Sequence, residues 1–156
     1  MRRRHLLRAA PAAFVPVGCL ARAPGTGPDE SPDTGAELVE SDLRVRDTEC
    51  GQQVDAATVS FDPGGPSVGV DGTVWGADTC HTARLRAATY DAGDDVLTVH
   101  VVAVRPESQE GKACGQCIVE IDYAATCAFE GGLPGRVRVV HGTGDRRTVV
   151  ATAEAP

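Results

Sequence analysis

The sequence predicts an all-β domain over residues 42–156, an antiparallel β-sandwich of about seven to eight strands. Apolar and polar residues alternate with a period of two through most of this region, as in Leu97–Ala103, which is typical of half-buried strands. Clusters of Pro, Gly and Asp separate the runs at fairly regular intervals, which favours short strands joined by turns. A helix is disfavoured because β-branched residues such as Val99 and Val101 pack better on a pleated surface.

The predicted strands are short alternating segments, each followed by a turn signal. They cover residues 43–47, 57–61, 68–74, 81–87, 97–103, 117–130, 137–139 and a last run at 149–150. Segment 117–130 is the clearest, because its odd positions are all apolar and most of its even positions are polar, so one face is predicted to be core. The segment is long for one strand, and Ala124-Ala125 is therefore predicted to mark a bulge or a change of sheet.

Residues 1–19 have the features of an export signal. Three arginines, including Arg3 and Arg4, precede a short apolar run over residues 6–18. This run is too short for a membrane span, which needs roughly 20 residues. Arg3-Arg4 followed by apolar residues resembles a twin-arginine signal, and Gly18-Cys19 resembles the end of a lipobox. The resemblance implies export and a lipid on Cys19; the alternative is a secreted protein with an unlipidated Cys19.

Residues 20–41 are rich in Pro, Gly, Asp, Glu, Ser and Thr, which predicts a disordered linker. From Cys19 onward the chain has 11 cations and 22 acids, a net charge of −11 (11 − 22). A surface this acidic repels nucleic acid, so no nucleic-acid partner is expected. Lys112 is the single lysine beside 14 arginines. Together with the signal, this composition resembles exported lipoproteins of extreme halophiles, and the acidity is interpreted as solubility in brine.

In Phe129–Val139, FEGGLPGRVRV, a Gly-Leu-Pro-Gly turn separates the last apolar runs. With this turn, the region from Cys80 to His141 resembles exported bacterial and archaeal sandwich domains, in which such a turn joins the last strands. It implies an immunoglobulin-like β-sandwich and no particular activity.

The six cysteines predict a disulfide-bonded domain. If Cys19 carries a lipid, five remain outside the membrane, where thiols oxidise, which predicts two bridges and one leftover thiol. Fifteen arrangements (5 × 3) are possible, and the sequence alone does not choose among them. Cys127 is expected to be the free thiol, because it lies mid-strand on the apolar face, where it can be buried. The preferred bridges are Cys80–Cys117 and Cys50–Cys114.

Two alternative functions rest on the same cysteines. Cys114-Gly115-Gln116-Cys117 has the spacing of a thiol-redox pair, but it precedes a strand, whereas a reactive pair needs its first cysteine at a helix N-terminus. An alternative ligand set for zinc or copper consists of Cys80, His81, Cys114 and Cys117. Zinc sites of this kind usually belong to reducing compartments, so structural bridging is preferred.

The other charged side chains are interpreted as solvated surface groups without a binding role. Glu120 and Asp122 lie about 7 Å apart on one strand face, and a solvated face is preferred to a cation site. Cross-strand pairing with such acids explains two arginine pairs, Arg84/Arg86 and Arg136/Arg138.

The sequence therefore predicts a monomeric, lipid-anchored β-sandwich on the extracellular face of the membrane. The expected role is a non-enzymatic binding or structural module without a cofactor. The alternatives left open are a thiol-redox or metal-handling protein, and an enzyme whose pocket the sequence does not reveal.

Overall fold

The computed structural model describes residues 35–156, which form two four-stranded β-sheets around one core. The strands are β1 (Glu37–Cys50), β2 (Ala56–Asp62), β3 (Ser67–Gly76), β4 (Thr82–Asp91), β5 (Val96–Val104), β6 (Val119–Glu130), β7 (Arg136–His141) and β8 (Thr148–Glu154). Short 3-10 turns lie after β5, at Glu107–Gln109, and after β7, at Gly144–Arg146. The prediction of an all-β sandwich is confirmed.

The two sheets differ in strand direction. Sheet I has the order β1-β6-β3-β2 and is antiparallel throughout, whereas sheet II has the order β4-β5-β7-β8 and pairs β5 with β7 in parallel. The predicted wholly antiparallel arrangement is wrong at this pair. After β5 the chain crosses to sheet I for β6 and then returns, so β7 runs in the direction of β5.

The core lies between the sheets and follows the period-two pattern. In β6 every odd-numbered residue from Val119 to Phe129 is buried, and Leu97, Val99 and Val101 of β5 face them from sheet II. Burying each such aliphatic side chain contributes roughly 1.5–3 kcal/mol to stability. The alternation therefore fixes which face of each strand meets the other sheet.

Strand β6 is continuous, and the bulge predicted at Ala124-Ala125 is wrong. Its register with β3 is unbroken along the whole ladder. The irregularities lie instead in β1, where the register with β6 shifts between Leu38 and Glu40 and between Val45 and Asp47. An edge strand accommodates an extra residue more easily than a central strand, because only one ladder of hydrogen bonds is disturbed.

The linker is shorter than predicted. Strand β1 begins at Glu37, which pairs with Glu130, so residues 37–41 belong to sheet I and not to the linker. Glu37, Glu40 and Ser41 are exposed, which is compatible with an edge strand whose outer face is wet. The rest of the linker and the export signal, including Arg3, Arg4 and Cys19, lie outside the described residues. Within residues 35–156, no helix is long and apolar enough to cross a membrane.

One glycine makes room for the largest polar side chain of the core. Gly72 of β3 lies opposite Tyr123 of β6 in the ladder. A Cβ atom at Gly72 would lie 2.5 Å from Oη of Tyr123 and 2.8 Å from the carbonyl oxygen of Ala56. Neither distance is compatible with an unshifted backbone, so this position requires glycine.

Replacing Gly72 with alanine is expected to lower the free energy of unfolding by roughly 1–3 kcal/mol, because the added methyl group overpacks the core. Gly65→Ala is the matched control, since a Cβ there meets no atom within 4 Å. Urea unfolding followed by circular dichroism measures both variants. Equal midpoints for Gly72→Ala and the parent protein would contradict the tight fit around Tyr123.

Candidate functional site

Both disulfides lie at one end of the sandwich. Cys50, the last residue of β1, is bonded to Cys117, and Cys80 is bonded to Cys114. The four predicted bridging cysteines are thus confirmed, and Cys127 is confirmed as a buried free thiol. The preferred pairs Cys80–Cys117 and Cys50–Cys114 are wrong.

Local hydrogen bonding explains the observed pairs. Cys50 lies opposite Val119 in the β1–β6 ladder, and the next amide, N–H of Gly51, donates to the carbonyl of Ile118 at 2.9 Å. This brings Cys117 beside Cys50. The second pair depends on two bonds between the loops before β4 and before β6. Thr79 N–H donates to the Gly115 carbonyl at 3.1 Å, and Gly115 N–H donates to Thr79 Oγ1 at 2.7 Å.

The redox and metal alternatives lose their free thiols in this arrangement. Cys114 and Cys117 belong to different bridges, so the CxxC spacing does not form a disulfide of its own. The potential ligand atoms of Asp78, Cys80 and Cys114 lie within 4.8 Å of one another, but the two sulfurs are bonded together. His81 Nδ1 lies 2.8 Å from Oδ1 of Asp78. That hydrogen bond, together with one from the Cys80 amide, lowers the pKa of Asp78.

A chain of hydrogen bonds that sequence analysis missed crosses the core at the same end. Tyr123 Oη lies 2.7 Å from Nε2 of His141, and Nδ1 of His141 lies 2.9 Å from Oδ1 of Asp55. Trp75 Nε1 donates to the other Asp55 oxygen at 3.0 Å. Tyr123 and His141 are each 1% exposed. Since the carboxylate accepts from Nδ1–H, the phenol donates to Nε2. Every polar side-chain atom of this hydrogen-bond network therefore has a partner.

This hydrogen-bond network has the order of an acid–histidine–hydroxyl triad, but the pKa shifts of its members favour a structural role. Burial raises the pKa of Tyr123, and the nearby charges of Asp55 and Asp71 raise it further. Burial also lowers the pKa of His141, which outweighs its contact with Asp55. A neutral imidazole and a protonated phenol form a stable bridge, and the buried phenol is a poor nucleophile. The hydrogen-bond network therefore fixes the loop that carries Asp55.

A cleft of about 380 Å³, here called the end cleft, opens beside this chain. The ends of both sheets and the loops between them form its walls. Its apolar floor includes Val74, Gly76 and Ala103, whereas its polar lining consists of Asp55, Trp75, His81, Thr143, Arg146 and Thr148. A concave site with an apolar floor and a few polar groups is typical of small-molecule binding. Of these residues, sequence analysis had singled out only His81.

The charged groups in a depression on the outer face of sheet I already have partners. A shallow depression of about 310 Å³ there contains Arg46 and Asp71, which form an ion pair at 2.6 Å. Asp122 in the same depression accepts a hydrogen bond from Thr73. We therefore consider the end cleft, which is also more enclosed, to be the better candidate site.

The contacts of Glu120 and Arg136 agree with the surface role predicted for them. Glu120 accepts a hydrogen bond from the amide of Gln52 at 2.7 Å. Arg136 forms its ion pair with Glu154, its neighbour in the β7–β8 ladder, at 2.9 Å. Cross-strand pairing is thus confirmed for Arg136, although its partner is neither Glu120 nor Asp122.

Comparison with known proteins found no matching family model, curated protein or solved structure. The resemblances to halophile lipoproteins and to immunoglobulin-like domains therefore stay predictions.

The free energy of unfolding is expected to decrease as the pH falls below about 6.5. Burial holds the pKa of His141 below the ordinary value of 6.5, so the unfolded chain takes up a proton in this range before the folded chain does. The contribution of His141 is fully present above the unfolded pKa and is lost in acid. Urea unfolding between pH 5 and 8 measures the slope. His141→Gln should flatten it, and an unchanged slope in that variant would contradict the assignment.

The disulfide pairing predicts which thiol each substitution releases. Cys80→Ser should expose Cys114, and Cys50→Ser should expose Cys117. Alkylation followed by fragmentation mass spectrometry identifies the modified cysteine. Because the bridges span 34 and 67 residues, each loss should cost roughly 4 kcal/mol of stability in the chain-entropy description, with the longer Cys50–Cys117 loop costing more. Release of Cys117 by Cys80→Ser would contradict the observed pairing.

Proposed function

We propose that this protein is an exported, lipid-anchored β-sandwich of the immunoglobulin-like type that acts outside the cell as a non-enzymatic binding module. One observation carries the proposal: both disulfides fix loops that line the end cleft. Cys50 begins the loop that carries Asp55, and Cys80 immediately precedes His81. A site whose walls are fixed before the ligand arrives loses less conformational entropy on binding.

Export is supported by the same bridges. Disulfides persist in oxidising compartments and are rare in the cytosol. The predicted signal, with Arg3, Arg4 and a lipid on Cys19, implies that the domain lies on the extracellular face of the membrane. The net charge of −11 after the signal supports a monomer that stays soluble at high salt and avoids nucleic acid.

A catalytic role is less well supported by the nucleophiles of the described region. Burial raises the pKa of Cys127 to about 11, and it also raises the pKa of Tyr123. Both groups are at most 1% exposed. Thiol-redox or metal-handling chemistry would first require the Cys80–Cys114 bridge to open. Binding by the preformed cleft requires no such step.

An intact-mass measurement on protein extracted from membranes tests this proposal. The expected species begins at Cys19, carries the mass of a lipid and lacks two hydrogens for each of two bridges. Denaturation without reductant should release one alkylatable thiol, that of Cys127. An unlipidated soluble species would contradict the anchor. Three free thiols that zinc protects would instead support the metal-handling alternative.

A further inference from the structure

The end cleft presents two opposite charges that no other charge cancels within residues 35–156. Arg146 is exposed and forms no ion pair with any residue in this range. Asp55 is bound by Nδ1–H of His141 and by the Trp75 indole. Because burial keeps His141 neutral, both of these donors are uncharged. The cleft therefore has one cation without an ion pair, Arg146, and one carboxylate, Asp55, whose two hydrogen-bond donors are uncharged.

The remaining walls of the end cleft favour a compact aliphatic group. Val74 is 3% exposed and Gly76 is buried, so the floor is apolar and closely packed. The Trp75 indole is held in place by its bond to Asp55, and an indole wall next to a carboxylate attracts an ammonium group. A volume of about 380 Å³ lies near the lower limit for ligand pockets, which is suited to a small molecule.

We propose that the end cleft binds a free α-amino acid with an aliphatic side chain. Arg146 pairs with the ligand carboxylate, Asp55 and the Trp75 indole receive the ammonium group, and the side chain packs on the apolar floor beside Val74. This inference rests on the proposed binding function and specifies the ligand class.

Charge discrimination favours a zwitterion over a simple ion. A plain carboxylate would be attracted by Arg146 but would approach the Asp55 charge and a surface with a net charge of −11. A plain amine would be attracted by Asp55 but would leave Arg146 unpaired and repelled. Only a ligand with both charges satisfies both groups, and specificity results from what each single-charge analogue leaves unmatched.

The chain offers a direct probe of this site. Trp75 is its only tryptophan, so tryptophan fluorescence, excited selectively over the two tyrosines, reports on the cleft. L-Leucine titrated into the purified full-length protein is expected to produce a saturable change. N-acetyl-L-leucine lacks the ammonium charge and L-leucinamide lacks the carboxylate, and each should bind at least tenfold more weakly. Isothermal calorimetry on the same samples gives a second readout.

Arg146→Gln should weaken L-leucine binding at least tenfold. Arg147→Gln is the matched control, because Arg147 is the next residue, is also exposed and does not line the cleft. It should bind L-leucine like the parent protein. Equal urea midpoints for the two variants verify that neither substitution destabilises the domain.

Three results would overturn the inference. N-acetyl-L-leucine binding as tightly as L-leucine would indicate a carboxylate site without a role for Asp55. Equal losses in Arg146→Gln and Arg147→Gln would indicate a general charge effect. No saturable signal by either fluorescence or calorimetry would exclude the amino acid as the ligand. In each case the lipid and the bridges, measured by intact mass, remain a separate test of export and anchoring.

Discussion

The hydrogen bond between buried His141 and Asp55 links the core of the sandwich to the end that carries the cleft. His141 lies at the end of β7 in sheet II, and its other nitrogen is bound by Tyr123 from sheet I. An imidazole this deeply buried is stable only when both nitrogens have partners. That requirement explains why Gly72 leaves space for the phenol and why the loop carrying Asp55 returns to the core.

The two disulfide bridges add stability to a core that is built mainly from valine. Apart from Tyr123 and Phe129, the buried cluster contains aliphatic side chains and the small thiol of Cys127. Small side chains bury less apolar area per residue, so each contributes less to stability. The two bridges compensate by restricting the unfolded chain, and they do so at the end where the long loop between β5 and β6 has few buried residues.

The surface and the end cleft use charge differently. On the strand faces, Arg46 pairs with Asp71 and Arg136 pairs with Glu154, which is the cross-strand matching expected of an exposed sheet. In the cleft, Arg146 forms no ion pair within the described range, and the Asp55 carboxylate accepts hydrogen bonds from His141 and Trp75. A few polar groups beside an apolar floor are typical of small-molecule pockets.

The sequence by itself determined the fold class, most strand positions, the four bridging cysteines and the burial of Cys127. The fold class, the strand positions and the burial of Cys127 come from local periodicity, since a two-residue repeat decides which face of a strand is buried. The four bridging cysteines follow from the cysteine count once Cys19 and Cys127 are set aside. Only the tertiary structure decided the sulfur pairs, the parallel β5–β7 pair and the meeting of Asp55, Tyr123 and His141. These contacts join residues as much as 86 positions apart, and their partners are set by strand register and sheet order, which no local pattern encodes.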